Sequence, residues 1–253
     1  MDGMVAIPEF VPKPDWALFL DVDGTLLDLA ETPGAVVVPR DLPPSLSRVS
    51  QALGGALALV SGRAIADIDH LFQHFVCAAA GVHGLELRPN GAPLRRVAEP
   101  IPEEQCRQLS TTAIGLDGVI VEDKGGSVAL HYRLAPDLRE TLARRIEAVL
   151  ADPAFEEFDL RPGKMLWEVR RSGIDKGRAV EALMADPPFI GRTPVFVGDD
   201  ETDLDGFAGA RRLGGFALPV GDALAAQGYG FAAPADVRAW LAALPMRIER
   251  VMA

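Results

Sequence analysis

Two groups of aspartates stand at the ends of apolar runs in this chain. Asp21 and Asp23 follow "WALFL", while Asp199, Asp200 and Asp203 follow "PVFVG". A buried strand does not normally end in paired negative charges, because an uncompensated carboxylate away from water is strongly disfavoured. A cluster of hard oxygen ligands suits Mg²⁺, which takes one or two carboxylates together with waters and phosphate oxygens. Each group alone also reads as an acidic, solvated turn. A helix–loop–helix calcium loop does not fit, since Gly24 follows directly on the second acid and the element before it is strand-like. Two further features suit a bound phosphate. "LVSGRA" sets Ser61, Gly62 and Arg63 after an apolar run and at a helix start, where free N–H groups and the positive dipole end face an anion. "GIDKGRA" sets Lys176 at another helix start, an unfavourable place for a lysine unless an anion needs it.

The elements that must position these residues follow from hydrophobic periodicity. "WALFLDV", "ALALVSG" and "VCAAAG" are near-continuous apolar runs separated by "LPPSLSRVSQAL" and "RAIADIDHLFQHF", with Ile65, Ile68, Leu71, Phe72 and Phe75 at helical spacing. That alternation predicts a parallel sheet covered on both faces. From about Leu85 the pattern becomes short alternating runs broken by Gly and Pro, with "PDLRETLARRIEAVL" as a helix among them, and it predicts a small α+β module. The α/β pattern resumes with "GIDKGRAVEALM", "PVFVGDD", "ETDLDGFAGARRL" and "GGFALPV". The expected architecture is a doubly wound, Rossmann-like α/β core formed by residues 1–85 and 171–253, with an inserted α+β cap at 86–170. If the two acid-ended strands are neighbours, their carboxylates converge in the crevice where such sheets bind ligands.

The composition of the 253 residues narrows the partners. Lys and Arg number 25 against 36 Asp and Glu, a net charge of −11, so nucleic acid and anionic membrane surfaces are not expected partners. No apolar run approaches the roughly 20 residues that span a bilayer, and the N-terminal stretch has no signal-peptide pattern. Cys77 and Cys106 are the two cysteines, too few for a disulfide framework, and a reduced cytoplasmic protein is the expectation. His70 and His74 share a helix face but have no third zinc ligand in view, and a solvated surface is the simpler reading. For His83 the reading is hinge or packing, with substrate contact as the alternative.

The motifs "DVDGT", the Ser of "SGR", the Lys of "DKG" and the acids of "GDDETD" resemble, in order, the four motifs of the haloacid dehalogenase-like phosphatases. The resemblance implies that Asp21 is a nucleophile forming an aspartyl-phosphate, and that Asp23 is the general acid and base. It further implies that Thr25, Ser61, Gly62 and Lys176 hold the phosphoryl group, with Lys176 also catalytic and Arg63 near the substrate. Mg²⁺ would be held by Asp21, the backbone carbonyl of Asp23, and Asp199, with Asp200 as a further metal candidate. Physical chemistry agrees: a carboxylate approaching a phosphate is repelled by about 4 kcal/mol per charge pair at ~4 Å and an effective dielectric of ~20, so local cations are required.

Within the middle module, "AGVHGLELR", "VEDKGGSVALHYR" and "RPGKMLWEVRRSGIDKG" are similar to segments of the trehalose-6-phosphate phosphatases. That likeness implies sugar contacts at Glu122, Lys124 and Glu168. Glu122 and Lys124 share one face of a strand, although a surface ion-pair trio is the competing reading. Leu204 stands where this family usually carries Glu, which touches only an outer-shell metal role. The expected partner is a small-molecule sugar phosphate, and the expected state a monomer or a weak dimer. Alternatives are a phosphatase of sucrose phosphate or mannosyl-phosphoglycerate, a phosphosugar mutase, and a non-catalytic sugar-phosphate sensor, which would be expected to have lost a nucleophile or metal acid.

Overall fold

The computed structural model describes residues 12–30, 35–73, 75–163 and 165–252. The chain divides into two compact units, Met1–Arg95 with Asp175–Ala253, and Arg96–Ile174.

The larger unit is built on a sheet in the order β11-β10-β1-β2-β3-β4, with β1 at Trp16–Leu20, β2 at Leu57–Val60, β3 at Ala78–Gly81, β4 at Glu86–Arg88, β10 at Thr193–Gly198 and β11 at Phe216–Pro219. The pairs β11-β10, β10-β1, β1-β2 and β2-β3 are parallel. Every residue of β1, β2 and β3 is buried, as expected for strands covered on both faces. The covering helices are α1 (Leu42–Ala52), α2 (Ile65–Phe72), α5 (Lys176–Met184), α6 (Asp203–Arg212) and α7 (Pro234–Met252). Ring pairs knit sheet to helices and loops, such as Phe196 on Phe207 at 5.8 Å between centroids and Phe19 on Phe189 at 5.4 Å; burying each ring is worth about 1.5–3 kcal/mol. α6 carries Asp203 and Asp205 in its first turn and Arg211 and Arg212 in its last, the polarity that favours a helix dipole.

The smaller unit holds a second sheet in the order β6-β7-β9-β8, all antiparallel: β6 at Ile120–Asp123, β7 at Ser127–His131, β8 at Phe158–Gly163 and β9 at Leu166–Arg171. One face, with Val128, Leu130, Val169 and Phe158, shares an apolar core with Cys106 and Leu109 of α3 (Glu103–Thr111) and with Leu142 and Ile146 of α4 (Arg139–Leu150). The short strand β5 (Arg95–Arg96) lies at the division between the units.

The doubly wound parallel core and the inserted α+β unit are both present as the periodicity predicts. The expected divisions at 85/86 and 170/171 differ from the compact units for a local reason. "LELR" alternates like an antiparallel strand and is one, but β4 pairs with β3 in the larger sheet, Gly81 opposite Glu86. At the other end β9 runs through Arg171 before the chain leaves the smaller sheet. A smaller difference concerns Phe75: α2 ends at Phe72, Gln73 takes φ 38°, and Phe75 is buried just beyond the helix.

Candidate active site

β1 and β10 are hydrogen-bonded neighbours with Leu20 opposite Val197, and the Asp21 amide donates to the Val197 carbonyl at 3.0 Å. The two acid groups therefore emerge side by side, at the point where the chain order of the sheet runs β1-β2-β3 to one side and β10-β11 to the other. In open α/β sheets that is the ligand-binding crevice.

Lys176 is the centre of the charge balance. Asp175 precedes α5 and accepts the Arg178 amide at 2.8 Å, a standard N-cap that fixes where the next residue lies. Lys176 is buried, and its Nζ donates to Asp21 Oδ1 and to Asp203 Oδ1, each at 2.7 Å. Removing one partner of such a buried ion pair costs about 3–5 kcal/mol, because the remaining charge has no water to turn to. Burial works against the Lys176 charge, but Asp203 and Asp21 more than offset it, so the ammonium is held well above its ordinary range.

Asp21, Asp199 and Asp203 bring carboxylate oxygens within 4.8 Å of one another, all three buried. With one ammonium among three carboxylates, the ionised cluster is two negative charges out of balance. The Asp21 carboxyl is accordingly pushed well above its ordinary value, by burial first and then by Asp203, with Lys176 opposing. Asp203 is raised to about 6, again by burial first, with Lys176 opposing. The donor set is made only of hard carboxylate oxygens and its excess charge matches a divalent cation, so these residues fit a metal ion of that class. Gly24 shapes the same spot. Its φ is +87°, and a side chain there would collide with the Asp199 carboxylate.

Each expected site residue can be placed. Thr25 is fully buried and its hydroxyl donates to Asp199 Oδ1 at 3.1 Å. Asp23 is gripped by Arg63, with Nε to Oδ2 at 2.6 Å and Nη2 to Oδ1 at 2.7 Å, the fork geometry that makes Arg–carboxylate pairs strong. Ser61 Oγ accepts the Arg63 amide at 3.1 Å, which leaves the hydroxyl proton to be given elsewhere. Asp200 is outside the acidic triad. Its Oδ1 accepts the Thr202 amide at 2.8 Å and the Thr202 hydroxyl at 2.6 Å. Burial pushes Asp200 up, but Lys176, the Thr202 hydrogen bonds and His83 together hold it below its ordinary value.

Asp203 is the residue whose part sequence reasoning left unassigned. Besides Lys176, it accepts the amides of Asp199 and Asp200 on Oδ2, at 2.8 and 3.1 Å. It thus ties the start of α6 back onto the end of β10. An acid in the first helical turn, four residues after a strand-ending acid, was the available signal. His83 and Glu86 are buried polar residues at the corner between β3 and β4. There Val82 and His83 take successive left-handed conformations, φ 47° and 55°, each costing about 1–3 kcal/mol. His74 lies outside the described residues, so the His70–His74 pair is not described further.

The smaller unit brings its three expected sugar-contact residues onto one face. Glu122, Ala129, Glu168 and Arg161 stand opposite one another across the four strands. Lys124 Nζ lies 3.1 Å from Glu168 Oε1, the Ser127 hydroxyl donates to the same oxygen at 2.7 Å, and His131 Nε2 is 2.9 Å from Glu122 Oε2.

Comparison with known proteins adds sequence evidence. A family profile described as trehalose-phosphatase matches residues 19–221. A probable trehalose-phosphate phosphatase of Sinorhizobium fredii is 45% identical over 208 residues, covering 82% of this chain and 78% of that protein. Trehalose-6-phosphate phosphatase of Escherichia coli is 38% identical over 254 residues, covering 98% and 93%. Among solved structures, the C-terminal domain of trehalose-6-phosphate phosphatase from C. albicans superposes with a TM-score of 0.80 at 21% identity, over 92% of this chain and 93% of that one.

Proposed function

The chain belongs to the trehalose-phosphatase family, a family of phosphoric monoester hydrolases, and on that premise we propose that it hydrolyses trehalose 6-phosphate to trehalose and phosphate. The observation that carries the chemistry is the buried set of Asp21, Lys176, Asp199 and Asp203 at the adjoining ends of β1 and β10.

In this reading an Asp21 oxygen attacks phosphorus while the bond from phosphorus to the sugar oxygen breaks. Asp23 gives its proton to that leaving oxygen. The Asp23 carboxylate then takes a proton from water, which attacks the aspartyl-phosphate and frees Asp21 and inorganic phosphate. A positioned proton-transfer group of this kind typically contributes about 10²–10⁴ in rate. The Arg63 fork matches the ionised form of Asp23, the form needed to activate water. Lys176 holds the attacking carboxylate in place, and Ser61 offers its free hydroxyl proton to a phosphoryl oxygen.

Mg²⁺ would be held by Asp21, Asp199 and the backbone carbonyl of Asp23, supplying charge neutralisation at the phosphate. Asp203, the third acid of the set, stands beside them and accepts Lys176 and two amides. The smaller unit acts as a cap whose Glu122, Lys124 and Glu168 recognise the sugar hydroxyls, carboxylates accepting and the ammonium donating. Among the described residues no helix is long and apolar enough to cross a membrane. The two buried thiols, Cys77 and Cys106, carry no disulfide, which suits the cytoplasm.

Phosphate release from a panel of sugar phosphates, with Mg²⁺ and with chelator, tests this function. The expected outcome is Mg²⁺-dependent turnover with trehalose 6-phosphate preferred. Turnover of sucrose phosphate well above trehalose 6-phosphate would remove the substrate and keep the chemistry, while no turnover of any ester would remove both.

A further inference from the structure

The corner between β3 and β4 does more than reverse the chain. Its backbone is clamped to the loop carrying Ser61 and Arg63: the Val82 amide donates to the Arg63 carbonyl at 2.9 Å and the His83 amide to the Ser61 carbonyl at 3.0 Å. Two residues on, the buried Glu86 carboxylate accepts the Ile65 amide at 2.9 Å, fixing the start of α2. The His83 imidazole lies directly beneath the middle of that loop. A side chain on Gly62 would come within 2.7 Å of His83 Nε2. The same corner also reaches α5, since the side-chain position of Gly84 is 2.9 Å from the Asp175 carbonyl oxygen and 3.1 Å from the Ala179 methyl carbon. Asp175 is the residue that caps α5 immediately before Lys176.

One left-handed corner therefore touches both elements assigned above to the phosphoryl group, the Ser61 loop and the start of the Lys176 helix. Left-handed backbone at a β-branched valine and at the next residue persists only where the surroundings hold it there. Here the holding contacts are the loops themselves. We infer that His83 is a positioning residue for the phosphate pocket, a rigid wedge under Gly62 that sets Ser61 against Lys176. The inference rests on the phosphatase reading for its kinetic consequence but not for its structural one. A flat ring with few rotamers suits this task, because a small displacement of a positioning group can cost up to ~10² in rate.

The test uses His83→Asn, which tolerates left-handed backbone, and His83→Gly, which adopts it freely. In both variants the affinity for inorganic phosphate, measured by calorimetry, is expected to fall about 10-fold or more. The value of kcat/KM should fall by a similar factor for trehalose 6-phosphate and for p-nitrophenyl phosphate alike, with a cooperative melt retained. Phosphate affinity equal to the parent protein's in His83→Gly would overturn the inference. A kinetic loss confined to the sugar ester would overturn it too, by making His83 a sugar contact. If the parent protein turned over neither ester, the phosphatase reading would fail, and the phosphate affinities would still decide the role of His83.

Discussion

The two units hold their charges in opposite ways. In the larger one, Asp21 and Asp199 stand at the ends of parallel strands, beyond the last paired residues, and meet Lys176 and Asp203 from the starts of two helices. In the smaller one, Glu122 and Glu168 lie within an antiparallel sheet, on the face opposite Val128, Leu130 and Val169, and Lys124 follows directly on β6 and reaches Glu168. Strand ends and helix starts are where backbone groups and side chains leave the regular ladder, so charges there can converge on one point. A sheet face instead spreads its side chains at the strand spacing, which suits a broad ligand with many hydroxyls. If, as proposed, the first scaffold carries the chemistry and the second the recognition, substitutions should separate them.

The largest effect is expected from Asp21→Asn. Removing the proposed nucleophile should lower kcat on every ester by on the order of 10⁴ or more, while sugar-phosphate binding measured by calorimetry survives. Retained turnover would take the nucleophile's role away from Asp21. Next comes Lys176→Met, which leaves Asp21 and Asp203 facing each other in a buried site. A loss of about 3–5 kcal/mol of stability is expected, read by denaturant titration, together with loss of turnover. An unchanged denaturation midpoint would show that the ammonium does not hold the cluster together.

Glu122→Ala and Glu168→Gln probe the other scaffold. Each should lower kcat/KM for trehalose 6-phosphate by roughly 10- to 100-fold, the worth of one hydrogen bond to a charged group, and leave p-nitrophenyl phosphate within about 3-fold. Equal losses on both esters would erase the division between chemistry and recognition. The smallest effect concerns the thiols. Burial pushes Cys77 in the larger unit up to about 12 and Cys106 in the smaller one up to about 11. Both should alkylate slowly in the native protein at pH 8, Cys106 first, as followed by mass spectrometry. Because unfolded thiols titrate near 9, the unfolded chain releases these protons first, so stability should decline as pH rises from about 9 toward 11 and 12.

Much of the larger unit was legible because its signals are local. Continuous apolar runs announce β1, β2 and β10, and an acid or serine directly after such a run announces the crevice. Lys176 betrayed itself by standing where the helix dipole disfavours it. The smaller unit was legible as alternation, yet alternation does not say which sheet a strand joins, and β4 joined the other one. Asp203 was visible as an acid but not as the group that gathers two amides and a lysine, since the amides come from the turn after β10 and the lysine from the distant start of α5. The corner at Val82–Glu86 carries no periodicity at all. Its importance lies in two backbone angles and in contacts to Ser61, Ile65 and Asp175, none of which is a pattern along the chain.

The pairing of β1 with β10 has a consequence for the order in which the protein can be made. Asp21 is synthesised more than a hundred residues before Lys176, Asp199 and Asp203, the groups it meets in the folded site. The segment Arg96–Ile174 is a compact unit of its own and is complete before then. It has an apolar core of its own, so the stretch of chain that the pairing of β1 with β10 must close is folded structure and not a bare coil.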